Sequence, residues 1–283
     1  MQHNNGTLTV SLPAGGNSNL FYQSWTPEKD PTAIILIAHG LGEHSGRYQH
    51  VAEFFVAKGY CVYALDHIGH GKSQGLRNFV NRFTDFHAGM AALVEQVKKY
   101  HSELPLVLLG HSLGGLISSD YLLHSQHLFR ACILSGPAIK TPSMPPPVLM
   151  LINRLISIFA PKLGVALLDG SAVSRDPTVV ATYLNDPLVY TGKITARLGT
   201  EMFSAMARVI KNASLIKLPL LILHGEEDTL TSPAGSQSLY DKVSSEKKMI
   251  KIYPELYHEI FNEPEQQQVL TDAVSWLDEQ LTG

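Results

Sequence analysis

Between residues 104 and 125 a strand pattern, a tight glycine-flanked turn and a helix pattern follow one another, and no other stretch constrains the fold as strongly. Residues 106–109 (Leu-Val-Leu-Leu) form a short apolar run behind Pro105, as expected of a strand buried on both faces. Gly110-His111-Ser112-Leu113-Gly114 breaks the run, and Leu116, Ile117, Tyr121 and Leu122 then recur at helical spacing. In that context G-x-S-x-G reads as a nucleophile elbow. Its glycines allow the sharp turn and leave the serine uncrowded at the top of the sheet. The amide of Leu113 then sits at a helix N-terminus, where partial positive charge favours a developing oxyanion. A second match, Gly71-Lys72-Ser73-Gln74-Gly75, follows the polar loop Asp66-His67-Ile68-Gly69-His70 and leads into Leu76-Arg77-Asn78 with no helical pattern. It lacks both strand and helix. Ser73 therefore reads as a loop serine, and Ser112 is the candidate nucleophile.

The rest of the chain supplies the layers around this element. Segments 7–12 and 20–25 flank a Pro-Ala-Gly-Gly-Asn-Ser turn and read as a hairpin at a sheet edge. Apolar runs at 33–38, 60–65 and 131–135 alternate with helical patterns, which predicts a mostly parallel, doubly wound sheet of the α/β class. The alternation stops at Pro137, and Pro142, Pro145, Pro146 and Pro147 mark a boundary; no strand-like run follows until about residue 211. It resumes with strands at 219–224 and 249–253 and helices at 234–243 and 267–281. The expected division is a core of residues 1–138 and 212–283 interrupted by a helical lid at 139–211. In the lid, a helix over 148–159 carries Leu151, Ile152, Leu155, Ile156 and Phe159 on one broad face, with Asn153, Arg154 and Ser157 on the other.

Composition excludes several classes. With 22 Lys and Arg against 25 Asp and Glu, the net charge of −3 gives no reason to expect nucleic acid as a partner. The two cysteines, Cys61 and Cys132, each fall inside a predicted buried strand and read as inert core thiols, so nothing points to an oxidising compartment. The N-terminus has neither a basic start nor an apolar stretch, and no run approaches the roughly 18 apolar residues of a membrane span. The expectation is a cytoplasmic protein that needs no cofactor and no metal. His67 and His70 have no metal-ligand partners at suitable spacing and are expected to cap turns.

A serine hydroxyl needs a base, and the base needs an acid to orient it. In a fold with this elbow they arrive in the order serine, acid, histidine. After the strand at 219–224 only one of the 13 histidines remains, His258, just past the last strand. The acid should follow the preceding strand, where Gly225-Glu226-Glu227-Asp228 offers three carboxylates. Asp228 is preferred because the chain must first turn over the sheet; Glu227 is the alternative, and only geometry separates them. The second oxyanion donor should come from the loop after the strand at 33–38, where His39-Gly40-Leu41-Gly42 fits, with the amide of Leu41 as donor.

The stretches His39-Gly40-Leu41-Gly42-Glu43-His44-Ser45-Gly46-Arg47-Tyr48, Asp66 to Ser73, Gly110 to Gly114 and His224 to Asp228 together resemble the monoacylglycerol lipases and related lysophospholipases of the α/β-hydrolase superfamily. Ser174-Arg175-Asp176 through Asn185-Asp186-Pro187-Leu188 is similar as well. The resemblance implies the α/β-hydrolase fold with a lid and hydrolysis of a glycerol monoester. It implies that Glu43 and Arg47 help shape the glycerol end, that His111 lies near the polar head, that Tyr183 also contacts the substrate, and that the lid provides the acyl channel. Glu43 and Arg47 could equally pair with each other beneath the oxyanion loop. Leucine at both oxyanion positions departs from the smaller residues or methionine common in the family, which bears on pocket width and not on the amides. The competing expectations are a lysophospholipase, a short-chain carboxylesterase or thioesterase, and a non-catalytic binding module of the same fold. The apolar lid helix is excessive for a short substrate. It further suggests contact with a micelle or membrane surface through residues 148–159, lying on the bilayer and not crossing it.

Overall fold

The computed structural model describes residues 1–143 and 145–282, so residues 144 and 283 of the expected ranges lie outside it. Eight strands form one sheet: β1 (Gln2–Ser11), β2 (Asn17–Thr26), β3 (Ala33–Ala38), β4 (Tyr60–Leu65), β5 (Leu106–His111), β6 (Ala131–Ser135), β9 (Leu220–Gly225) and β10 (Lys248–Tyr253). Their order across the sheet is β1-β2-β4-β3-β5-β6-β9-β10. The β1–β2 hairpin and the β2–β4 pair are antiparallel; every other pair is parallel. The antiparallel hairpin occupies one edge, as its turn chemistry predicts.

Every residue of β3, β4, β5, β6 and β9 is buried, which is why these strands read as continuous apolar runs. Alternation survives in where the side chains go. Ile34, Leu36 and Ala38 join one core with helices α2 (Thr84–Tyr100) and α3 (Leu113–Ser125), whereas Ile35 and Ile37 join the other with α1 (Gln49–Ala57) and α8 (Gln266–Thr282). Truncating one of these, Leu108→Ala for instance, should cost about 2–5 kcal/mol.

The chain leaves β3 for β4 on one side and reaches β5 on the other. The order therefore reverses between β3 and β5, and a crevice opens beyond their C-terminal ends. Ala38 pairs with Gly110, His111 with Ser135, and Tyr253 with Gly225, so the strands end along one rim. The loops leaving that rim carry all the residues singled out as catalytic.

Between β6 and β9 lie α4 (Pro147–Phe159), α5 (Pro177–Asn185) and α6 (Ala196–Asn212). A short antiparallel ribbon, β7 (Gly164–Ala166) with β8 (Ile194–Thr195), also occurs here, where no strand was expected. Segments of three and two residues are too short to produce a periodic signal. The helix α7 (Pro233–Lys242) then follows β9. Among the described residues no helix is long and apolar enough to cross a membrane.

Helix α4 sits the opposite way round from an ordinary surface helix. Its one buried residue is Ser157, and Asn153 reaches inward to α6, donating to Ala196 O at 3.2 Å and to Thr200 Oγ1 at 3.0 Å. The apolar face is left to the cavity and the exterior, with Ile152 and Ile156 lining the cavity, Leu151 and Ile158 each 57% exposed and Phe159 83% exposed.

Candidate active site

The turn after β5 holds Ser112 at φ 53° and ψ −119°, a conformation uncommon for any residue but glycine. Such strain costs on the order of 1–3 kcal/mol and persists only where the surroundings enforce it. They do so here: Ser112 N donates to Ser135 O at 3.0 Å, while Ser112 O accepts from Leu116 N at 3.1 Å and Ala138 N at 3.0 Å. The motif glycines are explained by approach. A Cβ on Gly114 would run into the carbonyl of Ala38, and one on Gly110 would lie 2.6 Å from Gly114 O. Ser73, by contrast, is buried in its loop, its Oγ donating to Asp66 O at 2.6 Å and accepting from Phe21 N at 2.8 Å.

His258 Nδ1 donates to Asp228 Oδ2 at 2.6 Å, and both side chains are buried. Glu227 is exposed, so geometry favours Asp228 over its neighbour. Asp228 is held from both sides: Oδ1 accepts the amides of Leu230 and Thr231 at 2.8 and 2.9 Å, and Oδ2 accepts Thr231 Oγ1 at 2.8 Å. Burial pushes its acidity down, but the charge of His258 and the hydrogen bonds from His224 and His258 outweigh it and hold the carboxyl far below its usual range. For His258 burial works against the imidazolium, and the charge of Asp228 with its hydrogen bond overcomes that, leaving the histidine above its ordinary value. The His258 ring lies 4.7 Å from that of His111, the residue before Ser112. Burial pushes His111 down to about 3, so it is neutral, with Nδ1 3.1 Å from Ser135 O.

Leu41 and Leu113 both border the cavity that Ser112 and His258 line. Leu113 opens α3, where amides have no partner within the helix. The loop bearing Leu41 is braced by Glu43, whose Oε1 accepts Gly40 N at 2.6 Å and Tyr48 Oη at 2.7 Å. Burial raises the Glu43 carboxyl, yet Arg47, His39 and these bonds hold it below its ordinary value. Arg47 Nη1 donates to Glu43 Oε2 at 2.8 Å, the pairing that stood as the alternative to a substrate role for these two residues. It also makes a bidentate pair with Glu259 at 2.6 and 2.7 Å. The Arg47 guanidinium lies 4.7 Å over the ring of Tyr183, which lines the cavity with Glu43, His111 and Glu259.

The chain belongs to the family described as serine aminopeptidase, S33, whose pattern matches residues 29–265. Within it, the sequence is 42% identical over 267 residues to a monoacylglycerol lipase of Mycolicibacterium smegmatis, covering 94% of this chain and 95% of that one. This is a monoacylglycerol lipase family member of the α/β-hydrolase superfamily. A mouse monoglyceride lipase is 32% identical, over 93% of this chain and 88% of its own. The crystal structure of a monoacylglycerol lipase from Paleococcus ferrophilus superposes with a TM-score of 0.84 at 32% identity, covering 92% of this chain and 99% of that one.

The family membership agrees with the residues quoted for the resemblance, but several contacts of this member lay beyond sequence reasoning. Glu259 follows His258 directly, and nothing in its spacing reveals an ion pair with Arg47, 212 positions away. Tyr48 and Thr231 were not singled out either, nor was His224 as a partner of Asp228. Of the two loop histidines, His70 does bond within its turn, with Nδ1 3.0 Å from Ile68 O. His67 does not cap: among the described residues neither of its ring nitrogens has a hydrogen-bond partner, and it packs against His39 and Phe86. Among the described residues no cluster of three or more His, Cys, Asp or Glu could hold a metal ion.

Proposed function

We propose that this chain hydrolyses monoacylglycerols to glycerol and a free fatty acid through an acyl-serine intermediate. Ser112 Oγ attacks the ester carbonyl while His258 takes its proton, with Asp228 fixing the ring through Nδ1. The amides of Leu41 and Leu113 receive the oxyanion. The tetrahedral intermediate collapses as His258 returns the proton to the glycerol oxygen, which departs. Water, deprotonated by the same histidine, then cleaves the acyl-enzyme and regenerates Ser112.

The observation that carries this reading is the cavity itself, about 1460 Å³ in volume. Its apolar wall comes from α4 and α6 residues such as Leu149, Ile152, Ile156, Met202 and Phe203, and its polar end holds Glu43, His111, Tyr183 and Glu259 beside Ser112 and His258. A long apolar wall suits an acyl chain and offers nothing to the amino terminus of a peptide. At the polar end two carboxylates share one guanidinium. The residual negative charge favours an uncharged glycerol over the phosphate of a lysophospholipid. Residues 139–211 act as the lid over this cavity, and the exposed face of α4 rests against the lipid surface that supplies the substrate. The buried thiols Cys61 and Cys132 fit a reducing, cytoplasmic setting.

The test is a comparison of kcat/KM for glycerol monoesters of increasing chain length, with matched lysophospholipids and Ser112→Ala as controls. Long-chain monoacylglycerol should be preferred by at least about tenfold, since each buried methylene contributes about 0.8 kcal/mol. Preference for short acyl esters or for the lysophospholipid would overturn the assignment.

A further inference from the structure

Asp228 Oδ2 faces two imidazoles, His258 Nδ1 at 2.6 Å and His224 Nε2 at 3.0 Å. His224 is the penultimate residue of β9, is fully buried and takes no part in lining the cavity. Its tautomer follows from its neighbours. Nε2 faces Asp228 Oδ2 and, at 3.3 Å, the carbonyl of Thr231, both acceptors. Nδ1 lies 2.7 Å from Ser236 Oγ, a hydroxyl that can donate to it. In the neutral ring the proton therefore sits on Nε2 and points at the carboxylate.

We propose that His224 is a positioning residue of this enzyme: its Nε2–H fixes the rotation of the Asp228 carboxylate and draws off part of the charge that Asp228 presents to His258. The proposal rests on the reading of Ser112, His258 and Asp228 as the reacting set. A carboxylate oxygen has few lone-pair sites, and Oδ2 spends its capacity on three donors: His258, Thr231 Oγ1 and His224. Each donor other than His258 stabilises the carboxylate charge in place and weakens its pull on the His258 proton. Removing His224 leaves Asp228 with one restraint fewer and makes His258 more basic. More of the base is then protonated at neutral pH, and its ring is held less firmly. The charged and titratable groups that act on His258 besides Asp228 are Glu259, Glu43 and His111, and among the described residues no hydrogen bond or ion pair joins them to His224; the Thr231 hydroxyl, 3.4 Å from both His258 Nδ1 and His224 Nε2, is uncharged and kept in every variant.

The test uses the full chain with His224→Leu, which deletes the donor, and His224→Gln, whose amide nitrogen falls close to the position of Nε2. Ser236→Ala is the third variant; it removes the hydroxyl that fixes the tautomer and lies outside the cavity. Active sites are counted by burst labelling with a fluorophosphonate, so that lost folding is not read as lost catalysis. For His224→Leu, kcat/KM per labelled site at pH 7 should fall about tenfold and the acid limb of its pH profile should move up by about 0.5–1 unit. His224→Gln should stay within about threefold of the parent with its limb in place, and Ser236→Ala should shift in the same direction as His224→Leu by about 0.3 unit. An unmoved limb in His224→Leu overturns the proposal, as does a His224→Gln that behaves like His224→Leu. If His224→Leu does not fold, Ser236→Ala decides: a raised limb supports the role, a parental limb ends it. Ser112→Ala, run alongside, separates the two layers. Activity retained there would sink the proposed reacting set itself, whereas a dead Ser112→Ala with unshifted profiles at His224 removes only the positioning role.

Discussion

Asn153 of α4 donates to Thr200 of α6 across 3.0 Å, so the most apolar helix of the chain is fastened by its polar edge. The apolar face is thereby left for the cavity and the exterior. Substitution at the exposed end should be harmless to the fold: Phe159→Glu should keep the parental melting temperature within about 2 °C, as expected for a surface change. Activity on long-chain monoacylglycerol in vesicles should drop several-fold while a short soluble ester is cleaved at nearly the parental rate. A collapsed melt with both substrates equally affected would refute lipid contact through α4.

Ser112→Ala should lower ester hydrolysis by about three orders of magnitude or more. Ser73→Ala should keep most of the activity and lose about 1–3 kcal/mol of stability, because the Phe21 amide and the Asp66 carbonyl lose a buried partner. Steady-state rates combined with urea midpoints separate the two serines. A dead Ser73→Ala with normal stability would contradict the architecture of the elbow.

The Asp228 charge raises His258 above its ordinary value near 6.5. Only the neutral ring can accept the Ser112 proton, so kcat/KM should rise with pH through a single ionisation lying above about 6.5. Full activity at pH 5 would be incompatible with His258 as the base. A chelator should change nothing, as checked by rates with and without EDTA.

Stability should follow a different pH course. Burial pushes His70 and His111 down to about 3, and lowers His39 and His67 as well. In the unfolded chain these rings take up protons below about 6.5, so each favours unfolding by up to about 1.4 kcal/mol per pH unit in that region. His258 acts oppositely: its raised value gives stability that is present below about 6.5 and lost as pH rises through its folded value. Asp228, with a depressed value, adds stability above about 4 that is lost as pH falls further. The four lowered histidines, with the less buried His101 also lowered, against one raised histidine give a net loss between pH 6.5 and 5. Urea midpoints at pH 7.5, 6.5 and 5.5 should fall in that order, and a flat or rising series would contradict the burial of this cluster.

Arg47 pairs with both Glu43 and Glu259. Arg47→Met should leave two buried carboxylates uncompensated and cost about 3–5 kcal/mol, read from denaturant midpoints. Because Glu43 also holds Gly40 N, kcat should fall along with stability. Unchanged kcat in a destabilised variant would show that the oxyanion loop does not depend on this network.

What the sequence determined by itself is what local chemistry and chain order can carry. A run such as residues 106–109, closed by Gly110 and followed by helical spacing, has one stable outcome, because an all-apolar strand must be covered on both faces. The same order of strands left His258 as the single histidine in the position of a base, and it placed the hairpin at the edge of the sheet. Tertiary structure decided what depends on contacts between distant segments. Asp228 was separated from Glu227 only by the turn after Gly225, which buries one carboxylate against His258 and leaves the other in solvent. Glu259 closed on Arg47 through a crossing that no local pattern encodes, and the turn after Gly225 folded Asp228 back onto His224, four residues before it. Helix α4 shows the same division. Its amphipathic spacing was plain in the sequence, but which face turns inward was fixed by Asn153 bonding α6, on the side where Ser157 is buried. Periodicity specifies that a helix has two faces; only the neighbouring surface specifies which one is covered.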